Sequence, residues 1–200
     1  MTTHRDDALP GWFGKLPGLG DFAHRRLSAS FRDSWDQWLQ DGLAGLRARH
    51  AQEWTTRYLE SPLWCFALGA GTVDPRAWIG VLMPSVDGVG RYFPLMLAQP
   101  FEGELDAADW WTRAAAAALQ ALDGNLDAER LEDLLARSFG AEQPKGEALP
   151  PPPGHSSWQI DPAGGVDWQA TLEGLPRNAQ FDALFGFASE QGQPALEDAR

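Results

Sequence analysis

Three short apolar runs constrain this chain more than any other feature of it. "LWCFALG" (63–69), "AWIGVLM" (77–83) and "RYFPLMLA" (91–98) follow one another closely, and proline, glycine or polar residues separate them. Runs of this length, rich in aliphatic and aromatic residues and punctuated by turn formers, read as buried strands. Pro94 interrupts the third run. Proline cannot donate to a ladder, so an edge position or a bulge is expected there. Asp87-Gly88 lies between the second and third runs, and this dipeptide favours turns with positive φ. Residues 77–98 therefore read as a hairpin whose loop is longer than the minimum.

Helical patterns surround the runs. Phe31, Trp35, Trp38, Leu39, Leu43 and Leu46 recur at helical spacing, and Arg32, Asp33, Asp36, Gln40 and Arg47 fall mostly on the other face. This predicts a helix over 31–48, with Ser30 as N-cap and Asp33 completing a capping-box-like start. Trp54 and Tyr58 mark a second helical piece that Ser61-Pro62 ends. "ELDAADWWTRAAAAALQALDGN" predicts a helix capped by Asp106 and closed by Gly124. Adjacent helical residues point about 100° apart, so one of Trp110 and Trp111 is expected in the core and the other as an exposed anchor. Another helix is expected over 127–139, with Leu131, Leu134, Leu135 and Phe139 on one face.

The Pro-rich segment 141–154 is expected to be polyproline-like and mobile. "SSWQI" and "VDWQATL" read as short strands around the turn "DPAGG", and "NAQFDALFG" as a last short helix. Residues 1–10 and 188–200 read as tails, leaving 11–187 as one domain. Helices that precede, interrupt and follow the strands imply an α/β fold, with helices on both faces of a sheet that is at least partly antiparallel.

Composition narrows the function. Ten Trp and ten Phe in 200 residues provide for a sizeable core, and the formal net charge is −12 at pH 7. Nucleic acids and anionic membranes attract basic surfaces, so neither is an expected partner. Cys65 is the single cysteine, so no internal disulfide forms, and no zinc-type Cys/His spacing occurs. "MTTHRDDALPGW" has no apolar signal core, and no stretch approaches the ~20 residues of a membrane span. A soluble, cytoplasmic protein is expected.

The chemical candidates each meet a structural alternative. "GWFGKLPGLGDF" reads as a short extended segment and then a tight loop. Within it "GLGDFA" (18–23) has the spacing G-x-G-x-x-A, but "KLP" stands directly before it, the next helix is expected only around Phe31 and no strand ending in an acidic residue lies about 20 positions on, so it reads as a structural loop rather than a dinucleotide fingerprint. Gly14-Lys15 is followed by Leu16, which rules out a Walker loop. Cys65 sits inside an apolar run and reads as a core thiol. His24, Arg25 and Arg26 form a small basic cluster suited to a phosphate, a partner's carboxylate or the chain's own acids. Asp21 and Asp87 make a carboxylate pair only if the fold joins their loops. Asp87 and Arg91, four apart around a turn, either brace each other, dock a partner or take part in catalysis.

"GWFGKLPGLGDFAHRRLSASFRDSWDQWLQDGL" (11–43) and "SPLWCFALGAG" with "AWIGVLMPSVDGVGRYFPL" (61–71 and 77–95) resemble TagF, an accessory family of bacterial type VI secretion systems. "SSWQI" and "LEGLP" with "FDALF" extend the resemblance, more weakly, to about residue 186. Two blocks carry it: Gly14, Lys15, Leu16, Pro17, Gly20, Asp21 and Phe22, then Pro84, Ser85, Asp87, Gly90, Arg91 and Pro94. The resemblance implies a three-layer α-β-α sandwich with a mixed or largely antiparallel central sheet. It also implies a non-enzymatic, post-translational repressor of secretion that binds a forkhead-associated-domain scaffold protein. Some relatives carry a PP2C-type phosphatase domain, but this chain lacks its metal-binding aspartate motifs. No catalytic residue, cofactor or metal is expected. Lys15, Asp21, Arg25, Asp87 and Arg91 are the candidate partner-binding residues, with Asp87 and Arg91 on an exposed rim. A small-ligand sensor using the Gly-rich loops and a small enzyme are the alternatives.

Overall fold

A computed structural model describes residues 9–101, 105–140, 145–146, 148–163 and 171–187. Among these, seven strands form one sheet: β1 (Gly11–Lys15), β2 (Phe22–Arg25), β3 (Trp64–Leu68), β4 (Trp78–Met83), β5 (Leu95–Pro100), β6 (His155–Gln159) and β7 (Thr171–Glu173). Their order is β2-β1-β5-β4-β3-β6-β7, and every neighbouring pair is antiparallel. Five helices cover the two faces: α1 (Ala29–Arg49), α2 (Trp54–Glu60), α3 (Ala107–Asp123), α4 (Ala128–Phe139) and α5 (Ala179–Leu184). The result is a three-layer α-β-α sandwich.

The continuous apolar runs follow from this layering. Successive strand residues point to opposite faces. In β4, Ile79, Val81 and Met83 enter the core under α3 and α4, whereas Trp78 and Leu82 enter the core under α1 and α5. With both faces covered, neither set is polar. Gly80 makes room on the α1 side: a Cβ there would lie 2.2 Å from the Phe66 ring.

The buried face of α1 is Phe31, Trp35, Trp38, Leu39, Leu43 and Leu46, as the helical spacing predicts. Its cap differs from expectation. Ser28 is the N-cap and accepts from the Phe31 N–H at 3.2 Å, while Ser30 lies inside the helix and donates to Asp74 at 2.6 Å. The third apolar run also shifts. β5 begins after Pro94 and lies inside the sheet between β1 and β4, so proline precedes the ladder and no edge strand or bulge is needed. Trp110 and Trp111 are both buried, because α3 is sandwiched. Trp111 donates from Nε1 to the Gly80 carbonyl at 3.1 Å, and the Trp110 ring lies 5.7 Å from Phe139 of α4.

β7 covers only the end of the run "VDWQATL"; residues 164–170 lie outside the described residues, as do 1–8 and 188–200 of the two tails. Of the Pro-rich segment, 145–146 and 148–154 are described. Ala148 bridges to Leu105, and the Gly154 N–H donates to Ala70 at 2.9 Å.

Candidate functional site

Residues 23–83 separate the two sequence blocks, and the fold presses them together. β1 delivers Lys15 at its C-terminal end, and the β1–β2 loop carries residues 16–21 alongside the connection between β4 and β5. Gly14 permits the approach. It has φ 131°, a conformation side chains rarely adopt, and a Cβ there would lie 2.0 Å from the Pro94 carbonyl oxygen.

Asp87 is the hub. Its Oδ2 accepts from Lys15 Nζ at 2.7 Å and from Arg91 Nε at 2.6 Å, and its Oδ1 accepts from the backbone N–H groups of Val89 at 3.1 Å and Arg91 at 2.9 Å. Burial pushes the carboxyl up, but these four donors outweigh it and hold Asp87 well below the usual carboxylate range. The hub is tied to both walls. Arg91 Nη2 donates to the Gly20 carbonyl at 2.7 Å, and Gly88 N–H to that of Leu19 at 3.3 Å. Ser85 Oγ donates to the Lys15 carbonyl at 2.8 Å. Below it, the buried Tyr58 hydroxyl donates to the Ser85 carbonyl at 2.9 Å and accepts from its N–H at 3.0 Å.

Lys15, Asp87 and Arg91 thus form one unit, in which Arg91 is exposed as expected of a rim but Asp87 is not. Asp87 is only 3% exposed. Four donors from Lys15, Val89 and Arg91 close over it, a fact invisible in the local Asp-Gly signal. Asp21 and Arg25 do not join the unit. Asp21 is exposed and accepts from the N–H of Phe22 at 2.7 Å; no hydrogen bond links it to Asp87 among the described residues. Arg25, exposed on the edge strand β2, stands 5.8 Å over the Trp12 ring. Its neighbour Arg26 turns away to pair with Glu132 of α4, so the basic cluster divides. The Cys65 thiol is buried and pushed up to about 12, first by burial and then by Asp161, which suits a core residue. No group of three or more metal-ligating side chains is placed around a common point among the described residues.

Sequence reasoning missed two other buried carboxylates that anchor α1. Asp74 accepts from Ser28 Oγ and Ser30 Oγ, each at 2.6 Å, and Asp182 accepts from Arg49 at 2.6 and 2.7 Å. It also missed an aromatic–cationic surface beside the hub. Arg47 of α1 lies 4.5 Å over the Trp54 ring, which meets Tyr92 edge-on at 5.6 Å. The Arg47 to Trp54 approach crosses a helix–helix turn, and no local spacing announces it.

The model of the TagF N-terminal domain, described as type VI secretion system-associated, matches residues 11–138. The chain belongs to the TagF family. Both blocks that build the Asp87 unit lie inside this TagF match, as do the five strands β1 to β5. The crystal structure of PA0076 from Pseudomonas aeruginosa PAO1 is also similar, with a TM-score of 0.73 and 26% identity over 96% of this chain and 99% of that one. That likeness reaches beyond the TagF N-terminal match to the later strands. No curated protein matches. As a TagF-family member, the chain is a type VI secretion system-associated protein.

Proposed function

We propose that the chain is a cytoplasmic, non-enzymatic regulator of a bacterial type VI secretion system. It represses secretion after translation by binding the system's forkhead-associated-domain scaffold protein. The observation that carries this reading is the family match over residues 11–138, which includes both sequence blocks. The geometry supports binding rather than catalysis. An ionised carboxylate offers about four acceptor sites. Asp87 directs its own at four donors of its own chain, which suits a brace better than a proton carrier. No helix among the described residues is long and apolar enough to cross a membrane, in keeping with a cytoplasmic site of action.

Secretion by the native bacterium tests the reading. Deleting the gene raises the release of the system's substrates while transcript levels stay constant, and excess protein lowers it. Release that responds to neither change overturns the regulatory role.

A further inference from the structure

The surface beside the Asp87 unit is an open groove of about 620 Å³, walled by α1, the start of α2, the end of β1 and residues 91–93. Three cations line it, Lys15, Arg47 and Arg91, together with Trp54, Tyr92 and Phe93; among the described residues no carboxylate does. This is unexpected on a chain of net charge −12. Asp87 neutralises one of the three charges from beneath. Lys15 lies low in the floor, with 12% of its side chain exposed, whereas Arg91 keeps 55%. Arg47 is exposed, and among the described residues no carboxylate lies within ion-pairing distance of it.

We propose that this groove takes an acidic segment of a partner protein: Arg47 and Arg91 meet its carboxylate, and Trp54, Tyr92 and Phe93 receive an adjacent apolar side chain. Two guanidinium groups that line one groove suit a carboxylate, which accepts charge-assisted hydrogen bonds from arginine. The aromatic rings beside them supply contact area that a bare inorganic anion cannot use, and Trp, Tyr and Arg are the residues that dominate protein interfaces. A nucleic acid fits poorly, because its many phosphates would face the acidic remainder of the surface. A short acidic segment brings few charges and places them where the local field is positive. Arg91 is held by Asp87 and Gly20, and Arg47 is stacked on Trp54, so much of the ordering that binding requires is already in place.

The proposal rests on the binding role proposed above, and its test separates the two. The purified forkhead-associated-domain scaffold is titrated calorimetrically into wild type, Arg47→Glu and Trp54→Ala, with Arg137→Glu on the exposed face of α4 as control. The first two variants should bind at least tenfold more weakly and the control as wild type, with the melting temperature of Arg47→Glu unchanged. Trp54 is half-buried and its loss can disturb packing; Arg47 is exposed, so its reversal keeps the test decisive. Full affinity in Arg47→Glu overturns the groove and leaves the binding role standing. A scaffold that does not bind wild type overturns that role instead. The groove is then decided by a photo-crosslinking residue placed at Gln40, on its rim, in the native cell. The cross-linked peptide should carry Asp or Glu beside an apolar residue, and its yield should fall in an Arg47→Glu background. A peptide without an acidic residue, a cross-link to nucleic acid or to a small anion, a yield indifferent to Arg47, or no cross-link overturns the proposal.

Discussion

Asp87 and Arg91 are four residues apart and unequal: the Asp87 side chain is fully covered and that of Arg91 is 55% exposed. Removing the acceptor strands two cations and two backbone N–H groups, whereas removing Arg91 leaves Lys15 to balance the carboxylate. Asp87→Ala therefore lowers the melting temperature more than Arg91→Ala; equal losses would show that the hub is not built around the carboxylate. Tyr58→Phe leaves the buried Ser85 N–H without its partner, while the Ser85 carbonyl keeps the Phe93 N–H, and should cost about 1–3 kcal/mol in denaturant unfolding. Acid sensitivity has a defined sign. In each of Asp87, Asp74 and Asp182 burial raises the carboxyl pKa, but hydrogen bonds, from Lys15, Ser28 and Arg49 respectively, lead a set that brings it below the ordinary 3.8. The folded chain then binds fewer protons than the unfolded one as pH falls. The stabilisation is complete above about pH 5 and is lost as pH drops below the ordinary carboxylate value. Urea midpoints measured across this range should fall with pH, and less steeply in Asp87→Ala.

At the scale of elements, α1 carries the most aromatic packing. Trp35→Ala should destabilise by about 3–5 kcal/mol, because the ring is fully enclosed against Phe31, Trp38 and Phe66. Asp33→Ala, exposed and not part of the cap, should stay within about 0.5 kcal/mol. Comparable midpoints for the two would contradict the assignment of the helix face. Gly14→Ala is expected to destabilise strongly as well, since its Cβ would meet Pro94 backbone that cannot rotate away. The buried residues of α1 were legible because a 3.6-residue period marks one face regardless of what covers it. Its cap was not: Ser28 and Ser30 both precede the apolar pattern and both donate to Asp74, far along the chain, and only Ser28 also accepts from the Phe31 N–H. β2 was also hidden. "FAHR" has no strand-like apolar run, and its pairing with β1 comes from the glycine-bearing turn that returns the chain.

For the molecule as a whole, the central strands and both helical layers could be read from apolar runs and helical periods, because burial on two faces leaves a local mark. The edge strand β2 could not, since it gains little from its own composition, whereas the other edge strand, β7, falls at the end of a run that reads as a strand. The candidate site divides in the same way. The Asp87–Arg91 pair is local and was legible, whereas Lys15 reaches Asp87 across 72 positions through the sheet alone. Asp21, a member of the first block, and Arg25, just beyond its end, fall outside the unit because the β1–β2 hairpin turns them to solvent. The architecture thus uses its motif residues to hold two loops rigidly and presents Arg47, Arg91 and the neighbouring rings beside them. The central claim is that this chain acts by binding a scaffold protein through charged groups. Calorimetric titration of the purified forkhead-associated-domain scaffold into the full-length chain at several salt concentrations tests it most directly. The account predicts saturable binding that weakens as ionic strength rises. An absence of saturable heat at low salt, with both proteins folded, would contradict it.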